Sequence, residues 1–318
     1  LERKRKAAGC LCTLLIAATA LTACAGEEIT VEESVGSAAP TAYTDETTDL
    51  GSSVSAEPEE TVQTPEEEEP TEEVLTWKEE WQYASYSEIH SDSVTLYRVS
   101  DDSKTIAVNA GHGTQGGESV QTQCHPDGTP KATGGSTSAG AIYAAAVASG
   151  MTMQDGTPEA EVTLQLAEIL KDKLMENGFN VLMIRDTEDA QLDNIARTVF
   201  ANENADCHLA IHYDSTESDK GFFYISVPDV DSYRSMEPVA SHWQEHNALG
   251  DAILRGMQEQ DVSIFGEGSM AIDLTQTSYS TIPSVDLEVG DAASDHSKQS
   301  MEKLADGIVE GLLLYYEE

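Results

Sequence analysis

Thr105-Ile106-Ala107-Val108-Asn109-Ala110-Gly111-His112-Gly113 is the stretch from which the rest of the chain is read. It is a brief run of small and β-branched apolar residues that stops at glycine and carries a histidine at its tip. Such a run, closed by turn residues, predicts a buried parallel strand. In open α/β sheets, ligands and chemistry collect at the carboxyl ends of the strands, so His112 stands where a metal or substrate group would bind. Gly111 and Gly113 let backbone and ligand approach closely. The alternative is a histidine in an ordinary strand-end turn, and the segments downstream decide between the two.

Thr157-Pro158-Glu159 opens a helix, with Thr157 suited to the N-cap and Pro158 to the first helical position. Val162, Leu164, Leu166, Ile169, Leu170 and Leu174 supply its apolar face, and Asn177-Gly178 closes it. Strands are predicted at 180–184, 207–211, 222–227 and 282–289, and helices at 193–204, 237–260 and 296–316. A further strand at 93–99 opens the folded domain or packs on its edge. Alternating strands and helices predict an α/β fold: a mostly parallel twisted sheet flanked by helices, forming a single catalytic domain. Residues 113–156 are rich in Gly, Ser and Thr, with an Ala-rich run at 139–148 and turn signals at Asp127–Pro130 and Asp155–Pro158. A connection this long is functional or disordered, and it is expected to be a substrate-facing flap with a short helix.

The chain has 318 residues and a formal net charge of −41. That charge argues against a nucleic-acid partner, because phosphate binding needs basic surface. Arg3-Lys4-Arg5-Lys6 is followed by a short apolar run from Ala7 to Ala20 and then by Leu21-Thr22-Ala23-Cys24. This is the layout of a secretory signal, too short for a comfortable transmembrane helix. Its ending resembles a bacterial lipobox, which implies that Cys24 is diacylated and becomes the mature N-terminus. No Lys or Arg occurs between Lys6 and Lys78. Residues 25–73 are dense in Glu, Thr, Ser and Pro, and a segment so poor in apolar residues cannot offset the entropy of ordering. The expected organisation is therefore a lipoprotein signal at 1–24, an acidic disordered tether at 25–73, a lead-in segment or edge strand at 74–103 and a catalytic domain at 104–318. The expected location is extracytoplasmic, lipid-anchored to the cell membrane. Of the five cysteines, only Cys124 and Cys207 lie beyond the targeting region. One bridge between them is possible in an exported protein, but two cysteines do not make a disulfide framework.

His112 and His212 each follow a hydrophobic strand, Glu159 sits in the first turn of a helix, and Glu288 ends the run Pro283-Ser284-Val285-Asp286-Leu287. Four polar groups are thus delivered to one edge of one sheet. Two imidazoles and a carboxylate with an open fourth position form a catalytic zinc site, and a spare carboxylate beside it can take a proton from water.

These residues resemble the zinc-dependent N-acetylmuramoyl-L-alanine amidases of the amidase-3 type. The resemblance rests on Gly111-His112-Gly113 after an apolar strand, and on Glu159-Ala160-Glu161-Val162-Thr163-Leu164 at a helix start. Arg185-Asp186-Thr187 follows a strand, and Arg197 precedes Ala201-Asn202. Ala205-Asp206 leads to Ile211-His212, and Pro283 leads to Glu288-Val289-Gly290. It implies that His112, Glu159 and His212 hold zinc and that Glu288 is the catalytic acid/base. It further implies a peptidoglycan substrate, cut at the amide between the muramic acid lactyl group and L-alanine. Three features depart from the family pattern. The link between His112 and Glu159 is longer than usual. Tyr213-Asp214 replaces a small residue followed by Asn, and an aromatic there would narrow the cleft or stack on a sugar. Asp291 stands where Phe is frequent.

Glu161 competes with Glu159 for the ligand role. His242-Trp243-Gln244-Glu245-His246 matches the inverted zincin spacing, with two histidines at i and i+4 on one helix face; the plain reading is an exposed helix face. His90, His125, His208 and His296 are expected at the surface or just behind the ligands. Two other functions remain open from the residues alone: a lipid-anchored peptidoglycan-binding protein with weak or no activity, and a zinc peptidase cutting another cell-wall amide.

Overall fold

The computed structural model describes residues 70–317. The signal sequence, Cys24 and the acidic stretch as far as residue 69 lie outside the described residues. Among the described residues no helix is long and apolar enough to cross a membrane.

Ten strands and six α-helices follow in chain order. They are β1 (Thr71–Leu75), β2 (Val94–Arg98), β3 (Thr105–Ala110), β4 (Gln121–Gln123), β5 (Tyr143–Ala145), α1 (Glu159–Glu176), β6 (Asn180–Met183) and α2 (Asn194–Asn204). Then come β7 (Cys207–Asp214), β8 (Phe222–Ser226), α3 (Asp231–Arg234), α4 (Val239–Glu259), β9 (Ile264–Ala271), α5 (Thr275–Tyr279), β10 (Ser284–Asp291) and α6 (Lys298–Glu317). Eight strands form one sheet in the order β1-β2-β6-β3-β7-β10-β8-β9. Its centre is parallel: β3 pairs with β6 and β7, and β7 with β10. Antiparallel β2 borders the centre on one side and antiparallel β8 on the other, and β9 runs parallel to β8. This is the expected α/β architecture, with the sheet flanked by helices.

Side-chain alternation with period 2 sorts the central strands onto two faces. Ile106, Val108 and Ala110 of β3 pack with Leu209 and Ile211 of β7 and Val285 and Leu287 of β10 against α1, α4 and α6. Helix α1 turns Val162, Leu166, Leu170 and Leu174 toward this core, the i, i+4 spacing of an amphipathic helix. On the opposite face, Ala107 and Leu182 meet Ala196 and Phe200 of α2, with Trp77 and Trp81 covering the cluster. The lead-in segment is tied here through Asp193, the N-cap of α2. Its Oδ1 accepts from Ala196 N, and its Oδ2 accepts from the backbone of Glu88 and Ile89.

The structure shifts several boundaries. Thr71, Glu72 and Glu73, at the end of the acidic stretch, already belong to β1. Pro158 itself is the N-cap of α1 and Glu159 its first residue, because the proline-fixed φ there pairs with an extended ψ. Strand β9 went unrecognised: Ile264-Phe265-Gly266-Glu267-Gly268 carries two glycines at positive φ and reads as a loop, and the β8–β9 register shifts there. The long connection contains no α-helix. It forms a single 3-10 turn at Gly117–Ser119 and the β4–β5 pair, with the Ala-rich run supplying β5. Cys124 and Cys207 are both free and buried, so the possible bridge is absent. Of the remaining histidines, His125 and His208 are buried rather than superficial.

Helices α4 and α6 meet through glycine. A Cβ on Gly256 would collide with the backbone of Gly307 and Gly311. Gly256→Ala is therefore expected to lower stability by about 1–3 kcal/mol, as overpacking does, while leaving the far-off carboxyl edge of the sheet unchanged. Urea or thermal unfolding alongside metal content checks both halves.

Candidate active site and metal centre

The end of β3 is shaped by two buried arginines. Arg185 Nε donates to Ala110 O (3.1 Å), and its Nη2 donates to Gly111 O (3.0 Å), Ala160 O (2.7 Å) and Thr163 Oγ1 (3.1 Å). Arg197 Nη1 donates to Asn109 Oδ1 and Ala110 O (both 3.0 Å), and Nη2 donates to His112 O (2.6 Å) and Thr114 Oγ1 (2.9 Å). Burial pulls both guanidinium groups below their ordinary range, Arg185 to about 10 and Arg197 to about 9, where the charge of Arg185 adds to the effect. Both remain charged at neutral pH. Under these bonds His112 adopts φ +65°, a left-handed conformation that non-glycine residues take only when the surroundings impose it.

His112, Glu159 and His212 converge. His112 Nε2 lies 2.9 Å from Glu159 Oε1 and 3.0 Å from His212 Nδ1, and Glu159 Oε1 lies 3.3 Å from His212 Nδ1. Among the described residues this is the only group of three His, Cys, Asp or Glu side chains able to hold a metal ion. The donor spacing is close to the roughly 3.3 Å edge of a tetrahedron with metal–ligand bonds of about 2.0–2.1 Å.

The protonation pattern points the same way. Ala148 O can only accept, so His112 Nδ1, 2.7 Å from it, carries the proton. Its Nε2 faces a carboxylate oxygen at 2.9 Å, a distance that needs a proton or a metal ion between the two atoms. Burial works against charge on His212, but Asp286, Glu159 and Glu288 outweigh it and raise the imidazole to about 9. Burial likewise pushes the Glu159 carboxyl up, and the two histidines overcome it and hold it below the usual carboxylate range. The site's field favours positive charge.

Three elements deliver the triad: the turn after β3, the first residue of α1 and the seventh-strand residue His212. Glu159 is 2 % exposed, whereas Glu161 points to solvent, bonded only to Gln165. Of the two, Glu159 is the one that meets the histidines. Its Oε1 also accepts from Tyr213 N (3.0 Å) and its Oε2 from Met151 N (2.9 Å). Tyr213 does not face the cleft as a stacking platform. Its side chain is 2 % exposed and packs with Leu209 and Ile211 in the main core, because period-2 alternation turns residue 213 away from His212. Asp291 is buried as well, accepting from Lys220 N (2.7 Å). The inverted zincin pair does not assemble. His242 bonds to its helix neighbour Glu245, and buried His246 accepts from Ser284 N (3.0 Å).

Glu288 and Asp286 share the face of β10 that opens on the triad, Glu288 in register with His212 and Asp286 with Ala210. Burial, then the neighbouring Asp286, lifts the Glu288 carboxyl well above its ordinary value. All five side chains line one cleft of about 690 Å³, a size usual for a small-molecule site. The 113–156 insertion forms its other wall as a fixed element. Asp273, fully buried, accepts from Ala132 N and Thr133 N and pairs with Lys131 (2.9 Å) and His125 (3.3 Å).

Residues 106–313 match the family model described as N-acetylmuramoyl-L-alanine amidase. The chain belongs to this family. Its membership supports a hydrolase acting on peptidoglycan. Two solved structures share the fold. One is the N-acetylmuramyl-L-alanine amidase Ami1 of Mycobacterium abscessus, 20% identical, with 67% of this chain and 98% of that one covered and a TM-score of 0.53. The other is Ami1 of Mycobacterium smegmatis, 18% identical, with 68% and 98% covered and a TM-score of 0.54. No curated protein matches the chain significantly.

Sequence reasoning missed the insertion's part in the triad. Ala148 O and Met151 N hold two of its members, and Gly150 (φ +83°) lies between them. A Cβ there would come within 2.9 Å of the His112 ring and 3.1 Å of Glu159 Oε2. Gly150→Ala is expected to displace His112 and reduce metal binding. Gly140→Ala, at φ +87° with open space around it, should cost only the left-handed strain of about 1 kcal/mol and bind metal normally. Equilibrium metal titration of the two variants side by side checks this.

Proposed function

We propose that the chain is a zinc-dependent amidase that hydrolyses the bond between the N-acetylmuramic acid lactyl group and L-alanine in peptidoglycan. The observation that carries the reading is the convergence of His112 Nε2, Glu159 Oε1 and His212 Nδ1 within 3.3 Å of one another. Two imidazoles and one carboxylate match the three-ligand, open-position pattern of catalytic zinc. Zinc held there would activate water and polarise the amide carbonyl.

This chain's own residues supply the rest. Glu288 faces the triad from β10 with a carboxyl raised by burial, as suits a group that carries protons near neutral pH. It removes a proton from the attacking water, whose oxygen bonds to the lactyl carbonyl carbon. It then delivers a proton to the alanine nitrogen as the C–N bond breaks. The products are a glycan strand with free lactyl carboxylates and a stem peptide with a free amine. The insertion wall and β10 confine the substrate between them.

Glu288→Gln keeps shape and removes basicity. Zinc content should stay near one per chain, while the rate of sacculus digestion falls by about 10²–10⁴-fold. Glu159→Gln, which loses a ligand charge, should weaken zinc binding; His242→Ala should change neither. Mass analysis of digested sacculi should find stem peptides beginning at a free alanine amine. Zinc lost on His242→Ala but retained on His212→Ala would sink the assignment, and near-normal turnover of Glu288→Gln would place the base elsewhere.

We also propose that the protein is a lipoprotein anchored on the outer side of the membrane through Cys24, with the acidic stretch as a spacer. The basic n-region, the apolar run and Leu21-Thr22-Ala23-Cys24 support this. Because diacylation supplies a stable two-chain attachment, Cys24→Ser should move the protein from the membrane to the soluble fraction. Unchanged fractionation with no lipid mass on Cys24 would remove this reading.

A further inference from the structure

Asp286 has no role in the scheme above, yet it occupies an unusual place. It interrupts the apolar run Pro283–Leu287 in the middle of the sheet, with its side chain 13 % exposed. Its Oδ1 is buried and has no hydrogen-bond partner. A carboxylate so placed is costly unless something pairs with it. The basic group opposite is His212, whose Nε2 lies 3.8 Å from Asp286 Oδ2. That nitrogen is the one His212 does not turn toward Glu159 and His112. The distance is that of an ion pair, and a shift of about 1 Å brings it to hydrogen-bond length.

His112 shows the same arrangement with a different acceptor. One ring nitrogen faces the triad, and the other, Nδ1, donates to Ala148 O at 2.7 Å. A histidine that binds metal through one nitrogen needs an acceptor on the other to select the tautomer and hold the ring. Asp286 is the group placed to do this for His212.

We propose that Asp286 is a positioning residue: its carboxylate accepts the Nε2–H of His212 and so holds the tautomer and ring orientation that present Nδ1 to the metal. The strand register makes this possible, because Asp286 pairs with Ala210 and Glu288 with His212. Residues 210 and 212 of β7 share one face of the sheet, so Asp286 lies beside His212 along the strand. The two carboxylates of β10 then divide the work, with Asp286 acting on a ligand and Glu288 on the reacting atoms. This inference rests on the metal reading above.

The test uses the full chain, with zinc affinity measured by competition against a chelator and unfolding followed on the zinc-free protein. Asp286→Ala should weaken zinc binding by about 10–100-fold, the usual effect of removing such a partner. Asp286→Asn keeps an acceptor oxygen and should recover at least part of that loss. Zinc-free stability should hold or rise, since an unpaired buried carboxylate has been removed; if alanine leaves the chain unfolded, Asp286→Leu carries the same expectations. At saturating zinc, KM should be unchanged. Wild-type affinity in both Asp286→Ala and Asp286→Leu would overturn the proposal while leaving the metal reading intact. Unaltered affinity with a collapsed kcat would overturn it in favour of a direct role in proton transfer. A wild-type chain that binds no zinc would remove the metal reading and this inference together.

Discussion

Two charged guanidinium groups buried at the carboxyl end of β3 are the constraint on which the rest depends. Neither Arg185 nor Arg197 finds a carboxylate in its hydrogen-bond set. Each instead makes five hydrogen bonds, all but one set of Thr and Asn contacts going to main-chain carbonyls. Burying such an ion costs several kcal/mol, and hydrogen bonds to a charged group return about 1.5–3 kcal/mol each, so the arrangement holds only if nearly all of them form. They form only when Ala110, Gly111 and His112 present their carbonyls inward. That requirement fixes the turn and forces His112 into left-handed φ. The planar fork of arginine serves here where lysine, with one point of charge, would not. On the cleft side Asp286, Glu159 and Glu288 supply negative charge, and together they raise the His212 imidazole against its burial.

The triad is also a crossing point of otherwise separate parts of the fold. Its members come from the ends of two central strands and the start of a helix that packs on the far face of the sheet. Helix α1 reaches over the sheet edge only because its first turn is tied down from both sides, by Arg185 on Ala160 O and by Tyr213 N and Met151 N on Glu159. Approach is then limited by size. Gly111 lies against the His212 ring and Gly150 against the His112 ring, and neither position has room for a Cβ. The long insertion is therefore part of the site: Ala148 O and Met151 N hold His112 and Glu159 in place.

Much of this was legible in the sequence, for reasons that can be named. The central strands are short apolar runs closed by glycine or histidine, and a parallel sheet places their ends together. Helix phase distinguishes Glu159 from Glu161, since residue 159 lies on the stripe of 162, 166 and 170 and residue 161 does not. Strand alternation likewise buries Tyr213 beside Ile211 and sets Asp286 on the face of Glu288, so both were readable from period 2 alone. Strand β9 was not, because its glycines erase the pattern and only pairing with β8 makes it a strand. The insertion was opaque for a related reason. Its conformation is held by tertiary partners, Asp273 above all, that local propensity does not reveal.

The two histidine pairs of this chain show what separates a converging donor set from a spacing. His242 and His246 sit at i and i+4 on α4 as a zinc-binding helix requires, yet His246 spends its Nδ1 lone pair on the amide of Ser284, and no carboxylate converges with both rings. His112 and His212 are 100 residues apart and meet edge to face with ring centroids 4.6 Å apart. Each turns one nitrogen toward Glu159 Oε1. Hydrogen bonding that satisfies a histidine makes it structural. Hydrogen bonding that occupies only the far nitrogen, as Ala148 O does for His112, leaves the other free to face its neighbours, and donor atoms of His112, Glu159 and His212 within 3.3 Å of one another need a proton or a metal ion between them. Folding brings these three atoms together by means of two buried arginines and a clamped insertion, so the geometry of the triad is a consequence of how the fold closes.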